Sequence, residues 1–152
     1  MLEEMLTYEN VHLGVELPEY TKEAGLKSVS ALCANDEVSE AQLLDAFTKR
    51  EAEYSTGCGG GIAIPHAKIP GLKNPQVVVV RFAEPIDWEA IDGKPITMCI
   101  CMVMPNETKD NIHLKVISQL SRKLINKKFV SHILSEEDPK ALRDYMVETV
   151  GA

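Results

Sequence analysis

Histidine changes protonation state near neutral pH, and the chain has four, at 12, 66, 113 and 132. Only His66 stands in a stretch whose residue types suit chemistry: Ser55-Thr56-Gly57-Cys58-Gly59-Gly60-Gly61-Ile62-Ala63-Ile64-Pro65-His66-Ala67. The glycines bring backbone N–H groups close to whatever approaches. The apolar run Ile62-Ala63-Ile64 reads as a buried strand that fixes the local frame, and Pro65 stiffens the chain directly before the imidazole. A rigidly presented imidazole beside a glycine-rich anion cradle points to phosphoryl or acyl chemistry rather than to packing. His113 alone reads as a core or helix-start histidine, and His12 and His132 have no chemical neighbourhood.

The spacing excludes the commonest uses of a glycine run. A P-loop needs GxxxxGK[ST], and neither Gly-Lys-Ser nor Gly-Lys-Thr occurs. A dinucleotide fingerprint follows a strand and opens a helix, whereas these glycines precede an apolar strand and a proline. They read as a turn or an anion nest, with a tight loop needing positive φ as the plainer alternative. Cys58 as a nucleophile needs a lowered thiolate pKa and a positioned base, and nothing in the spacing supplies either. Zinc bound by Cys58, His66 and His113 lacks a recognisable ligand spacing, so no metal and no cofactor is expected. Cys99 and Cys101, at i and i+2 in an apolar run, share one strand face and read as small buried hydrophobes.

The elements that position these groups follow from periodicity. An edge strand is expected around Val11–Val15, and a helix from Thr21 to Cys33 with Leu26, Val29 and Cys33 on one face. Ser39 and Gln42 form a capping-box pattern for the next helix, in which Leu43, Phe47 and Arg50 fall at i, i+4 and i+7. Arg50 therefore extends an apolar stripe, where its stem would pack and its head reach water. Gln76–Phe82 and Ile96–Met104 read as central strands buried on both faces, the first ending at Pro85-Ile86-Asp87-Trp88. Their connection is too short for a crossover helix and predicts antiparallel or mixed pairing. A helix is expected from about Thr108 to Asn126 with His113, Val116, Ile117, Leu120, Leu124 and Ile125 on one side. Asp138-Pro139 opens a last helix with Leu142, Tyr145 and Met146 inward. The fold class is α/β: a central mixed sheet, parallel and antiparallel, flanked by helices on both faces, in a single domain over 1–152.

Composition sets outer bounds. The 152 residues are 45% hydrophobic and 26% charged, ordinary for a globular chain. The net charge of −7 argues against a nucleic-acid or anionic-membrane surface, while leaving room for a local basic patch. The start of the chain lacks a signal-peptide pattern, no run of about 18 apolar residues exists to insert into a membrane, and the cysteines form no CxxC pair. A cytoplasmic location is the expectation.

The residues around His66 resemble the active-site segment of enzyme IIA of the fructose–mannitol class, phosphocarriers of the bacterial phosphoenolpyruvate:sugar phosphotransferase system. The resemblance extends to Lys49-Arg50-Glu51, to Pro85-Ile86-Asp87-Trp88 with Asp92-Gly93-Lys94-Pro95-Ile96, and to His113-Leu114-Lys115 with Leu120-Ser121-Arg122. It spans about Leu6 to Val147. Gly60 and Cys58 depart from the residues common in the family, asparagine and isoleucine. The resemblance implies that His66 accepts a phosphoryl group from HPr and passes it to a cysteine of a IIB component, with the membrane component IIC involved only indirectly. It gives Arg50 and His113 catalytic parts, and Thr56 and the Gly57 backbone a place in the phosphoryl cradle. A regulatory module of the nitrogen branch, sharing the histidine motif but acting on a partner protein, is the alternative.

Overall fold

The computed structural model describes residues 2–106 and 112–150, the side chains of Ile112 and His113 lying outside that description. A short helix α1 (Leu2–Met5) and a single 3-10 turn lead into β1 (Val11–Val15). Then come α2 (Lys22–Cys33), α3 (Glu40–Glu53), β2 (Gly57–Gly59), β3 (Ile62–Ala63), β4 (His66–Ile69), β5 (Gln76–Ile86) and β6 (Ile96–Pro105). Helices α4 (Ile112–Lys123), α5 (Lys127–Ser135) and α6 (Pro139–Thr149) complete the chain.

The strands form one mixed sheet in the order β1-β5-β6-β3-β2, with β4 also on β6. β5 and β6 pair antiparallel, as their short connection requires, while β1 lies parallel to β5 at the edge. Because side chains alternate along a strand, β5 and β6 feed two cores. Val78, Val80, Cys99 and Cys101 face Leu26, Val29, Cys33, Leu43 and Phe47 of α2 and α3. Val77, Val79, Met98, Ile100 and Met102 face α1, α4, α5 and α6 through residues such as Met5, Leu120, Phe129 and Met146. Helices thus cover both faces, in agreement with the α/β reading.

β5 continues past Phe82 to Ile86, farther than the composition predicts. Pro85 is accommodated because the β5–β6 register breaks between Arg81 and Ile86, where a missing N–H costs no regular ladder bond. The helix expected to run to Asn126 stops at Lys123, and its expected start at Thr108 lies outside the described residues. Asn126 is the reason for the stop: its Oδ1 accepts from the N–H groups of Lys128 and Phe129 and caps a new helix, α5, which the continuous apolar pattern concealed. Ile125, expected on the inner side, is consequently left 81% exposed in the turn.

Candidate functional site

β3 and β4 are one path beside β6. Ile62 and Ala63 pair with Met98 and Cys99, and His66 pairs with Met102 in the same register. The break between them falls at Ile64-Pro65, because proline has no N–H to give the ladder. The chain is still anchored there: the Met102 N–H donates to the Pro65 carbonyl at 2.9 Å, and the Ile64 N–H to the Thr56 carbonyl at 2.9 Å. The stretch before His66 therefore presents the imidazole from a strand held on one side against the buried β6.

Two contacts orient the ring. Nδ1 lies 2.9 Å from the Ile64 carbonyl oxygen. A carbonyl can only accept, so Nδ1 carries the proton and Nε2 holds the lone pair. Nε2 in turn accepts from the Arg50 Nε–H at 2.9 Å. Burial, with the positive charges of Arg50 and Lys68 acting in the same sense, holds the His66 pKa below its ordinary value despite the Ile64 carbonyl. The ring is thus neutral near pH 7, and it lines an open groove of about 520 Å³ with Asp45, Lys49, Arg50, Glu53, Tyr54 and Lys68.

Arg50 stands in the last turn of α3, where a cation suits the helix dipole. Its Nη1 donates to the Tyr54 carbonyl at 2.9 Å and its guanidinium lies 4.1 Å from the Tyr54 ring centre. These contacts hold the guanidinium beside His66. His113 is the second residue of α4, and its side chain lies outside the described residues.

Thr56 and Gly57 stand at the start of the glycine stretch. The Thr56 N–H and hydroxyl donate to Glu51 at 2.9 and 2.6 Å, and the Gly57 N–H donates to Ser55 Oγ at 3.1 Å. These three donors bond within the protein. Gly57 is glycine because a Cβ there would lie 2.7 Å from the Ala90 Cβ and 2.9 Å from its Cα. Gly59, Gly60 and Gly61, all at positive φ, turn β2 back onto β3 as a hairpin. The Gly60 N–H donates to Asp92 at 3.1 Å, so the anion in this glycine turn is the chain's own carboxylate.

Glu51 is the site residue that composition and spacing did not single out. It is 8% exposed and accepts four bonds: two from Thr56, one from the buried Trp88 indole at 2.8 Å, and one in an ion pair with Lys22 at 3.0 Å. Burial pushes its carboxyl up, but the Thr56 and Lys22 bonds outweigh this and hold it below the usual carboxylate range. The carboxylate therefore ties α2, α3, the start of the glycine stretch and Trp88 together, one residue from Arg50. Its signal in the sequence was its place at i+8 from Leu43 and i+4 from Phe47, on the apolar stripe of α3. Cys58 Sγ lies 3.3 Å from the Ile62 carbonyl, and burial with the Asp92 charge pushes its thiol up, the reverse of what a nucleophilic cysteine needs. Cys99 and Cys101 are fully buried in the core, as their spacing predicts.

The chain belongs to the family described as phosphoenolpyruvate-dependent sugar phosphotransferase system, EIIA 2, whose model matches residues 4–148. It is accordingly a phosphotransferase of sugar transport that relays phosphoryl groups through a histidine. The fructose-specific EIIA component of Haloferax volcanii is 34% identical over 142 residues, covering 91% of this chain and 90% of that protein. Among solved structures, the nitrogen regulatory protein IIA-Ntr from Neisseria meningitidis superposes with a TM-score of 0.84 at 27% identity, over 93% of this chain and 95% of that one. Enzyme IIA mannitol of Escherichia coli, solved in complex with phosphorylated enzyme IIB mannitol, shares the fold, with a TM-score of 0.69 at 19% identity over 93% of this chain and 99% of that one.

Proposed function

We propose that His66 is the phospho-acceptor of a single EIIA domain spanning residues 1–152, taking its phosphoryl group from phosphohistidine on HPr and passing it to a cysteine of a IIB component in the cytoplasm. The observation that carries this is the bond pattern of the ring: Nδ1 donates to Ile64 and Nε2 is left as the nucleophile. Nε2 attacks phosphorus in line. The donor N–P bond breaks with its electron pair returning to the donor imidazole, and a new N–P bond forms on His66. The proton stays on Nδ1, donated in a hydrogen bond to the Ile64 carbonyl, which steadies the charge the ring acquires.

The Arg50 fork then turns from Nε2 to the phosphoryl oxygens, a match of planar donors to oxyanion. In the second step an incoming IIB thiolate attacks phosphorus and the pair returns to Nε2. His113, at the start of α4, is assigned a hydrogen bond to the same phosphoryl group by resemblance to the family. Positioning and charge stabilisation carry such a transfer, and protein donors suffice for it. A fructose-type sugar is the substrate class supported by the Haloferax volcanii relative, and the IIB partner is supported by the Escherichia coli complex. IIC takes part only through IIB.

The test is incubation with phosphoenolpyruvate, enzyme I and HPr, followed by intact mass measurement. The expected result is a gain of one phosphoryl group, lost in His66→Ala; no gain, or an unchanged gain in the variant, overturns the assignment. The similarity to IIA-Ntr supports a second reading, in which phospho-His66 controls a partner protein. Onward transfer separates the two. A labelled IIB cysteine supports the transport reading, and failure with every IIB domain, together with a partner whose binding follows the phospho-state, replaces it with the regulatory one.

A further inference from the structure

One stretch of the chain has a charge that the His66 groove does not explain. From Asn111 to Ser135 the chain contains no Asp or Glu but five cations, Lys115, Arg122, Lys123, Lys127 and Lys128. That segment carries +5 in a chain of net charge −7, so everything outside it carries −12. Four of the cations flank the turn between α4 and α5, two on each side of Leu124-Ile125-Asn126. Arg122, Lys127 and Lys128 are exposed and Lys123 is half-buried. Among the described residues, none of the four is ion-paired with a carboxylate.

Two features of this arrangement run against local stability. Lys127 and Lys128 occupy the first turn of α5, which has no acidic residue, although the helix dipole disfavours cations there. Ile125, at the apex, is 81% exposed, where burial would otherwise be the favourable fate of an isoleucine. An exposed isoleucine flanked by cations on both sides matches an anionic surface with an apolar layer beneath it. The cations meet headgroup phosphates while the isoleucine reaches the headgroup–acyl boundary. A nucleic-acid backbone would satisfy the cations but offer nothing to the isoleucine.

We propose that the α4–α5 turn is a reversible, peripheral contact for a bilayer carrying anionic phospholipid headgroups. The remaining −12 keeps the rest of the surface off such a bilayer, which makes the contact directional. The test uses the full chain in flotation with vesicles of phosphatidylcholine alone and of phosphatidylcholine mixed with phosphatidylglycerol. The expected result is binding to the mixed vesicles at low salt only, lost when salt shortens the screening length to about 3 Å. Ile125→Ser and the double variant Lys127→Glu/Lys128→Glu should each weaken binding, the double variant by more than about fivefold per cation replaced. Circular dichroism and phosphoryl acceptance at His66 should stay unchanged in both, which separates this contact from the phosphocarrier reading. No flotation at low salt, equal flotation on neutral vesicles, or undiminished binding by both variants overturns the proposal. Retention on immobilised polyglutamate with no vesicle binding likewise overturns it and assigns the patch to an acidic protein.

Discussion

At the scale of single residues, the site depends on which nitrogen of one imidazole is free. The Ile64 carbonyl fixes the tautomer, and burial with Arg50 and Lys68 keeps the ring neutral. Since the folded His66 pKa is depressed below the ordinary value of about 6.5, two consequences follow on the acid side. The rate of phosphoryl acceptance stays level as pH falls through about 6.5 and drops only at the lower folded pKa, which a pH–rate profile will show. The stability that the neutral ring contributes is present above about 6.5 and is lost as pH falls through the folded pKa. Arg50→Ala removes a neighbouring positive charge, so the His66 pKa should rise in an NMR titration. It also removes the donor fork, so transfer should slow by about 10²-fold. Arg50→Lys should recover little of this, because an ammonium lacks the planar fork.

At the scale of elements, Glu51 decides whether α2, α3 and the stretch before His66 keep their mutual positions. Glu51→Ala leaves Lys22, both Thr56 donors and the Trp88 indole without their acceptor. Breaking a buried pair in this way costs about 3–5 kcal/mol, measurable by urea unfolding. Trp88 is the only tryptophan, so a red shift of its emission in the folded variant reports the loosening directly. The Glu51 carboxyl is held low, so its contribution is present above its ordinary pKa and disappears as pH falls through the folded value. The glycine hairpin gives a sharper contrast. Gly57→Ala drives a Cβ into the Ala90 backbone and should cost about 1–3 kcal/mol through overpacking. Gly60→Ala meets nothing closer than Val130 at 3.6 Å, so only its positive φ opposes the change, at about 1 kcal/mol. Thermal unfolding of the two variants will rank them.

At the scale of the whole molecule, β5 and β6 are the common wall of two cores, and Val77–Val80 and Met98–Met104 are buried. Their amides should therefore exchange with solvent only through global unfolding, whereas the β2–β3 hairpin should exchange sooner. Native-state hydrogen exchange will separate the two classes. The N-terminal segment is held across the molecule by Arg143, whose guanidinium donates to the Leu6 and Glu3 carbonyls at 2.9 and 3.1 Å. This clamp satisfies carbonyls that so short a helix as α1 cannot satisfy within itself.

The sequence alone determined what repeats or is rigid. The valine run of β5, the apolar run of β6, the Ser39–Gln42 capping box and the glycine–strand–proline–histidine order are local patterns, and each produced the element it predicts. His66 was legible because its neighbours in sequence are also its neighbours in space. Contacts across long separations were not legible. The bond from Arg50 to His66, the gathering of Lys22, Thr56 and Trp88 on Glu51, and the spending of the Gly60 N–H on Asp92 all join separate elements. The glycine run was open to two readings because a nest and a hairpin use the same residues, and only the position of Asp92 decides between them. Ile125 fitted the stripe of α4 until Asn126 capped the next helix and turned it outward. Periodicity records which side of an element is apolar; tertiary packing decides where that element stops and what its polar groups meet.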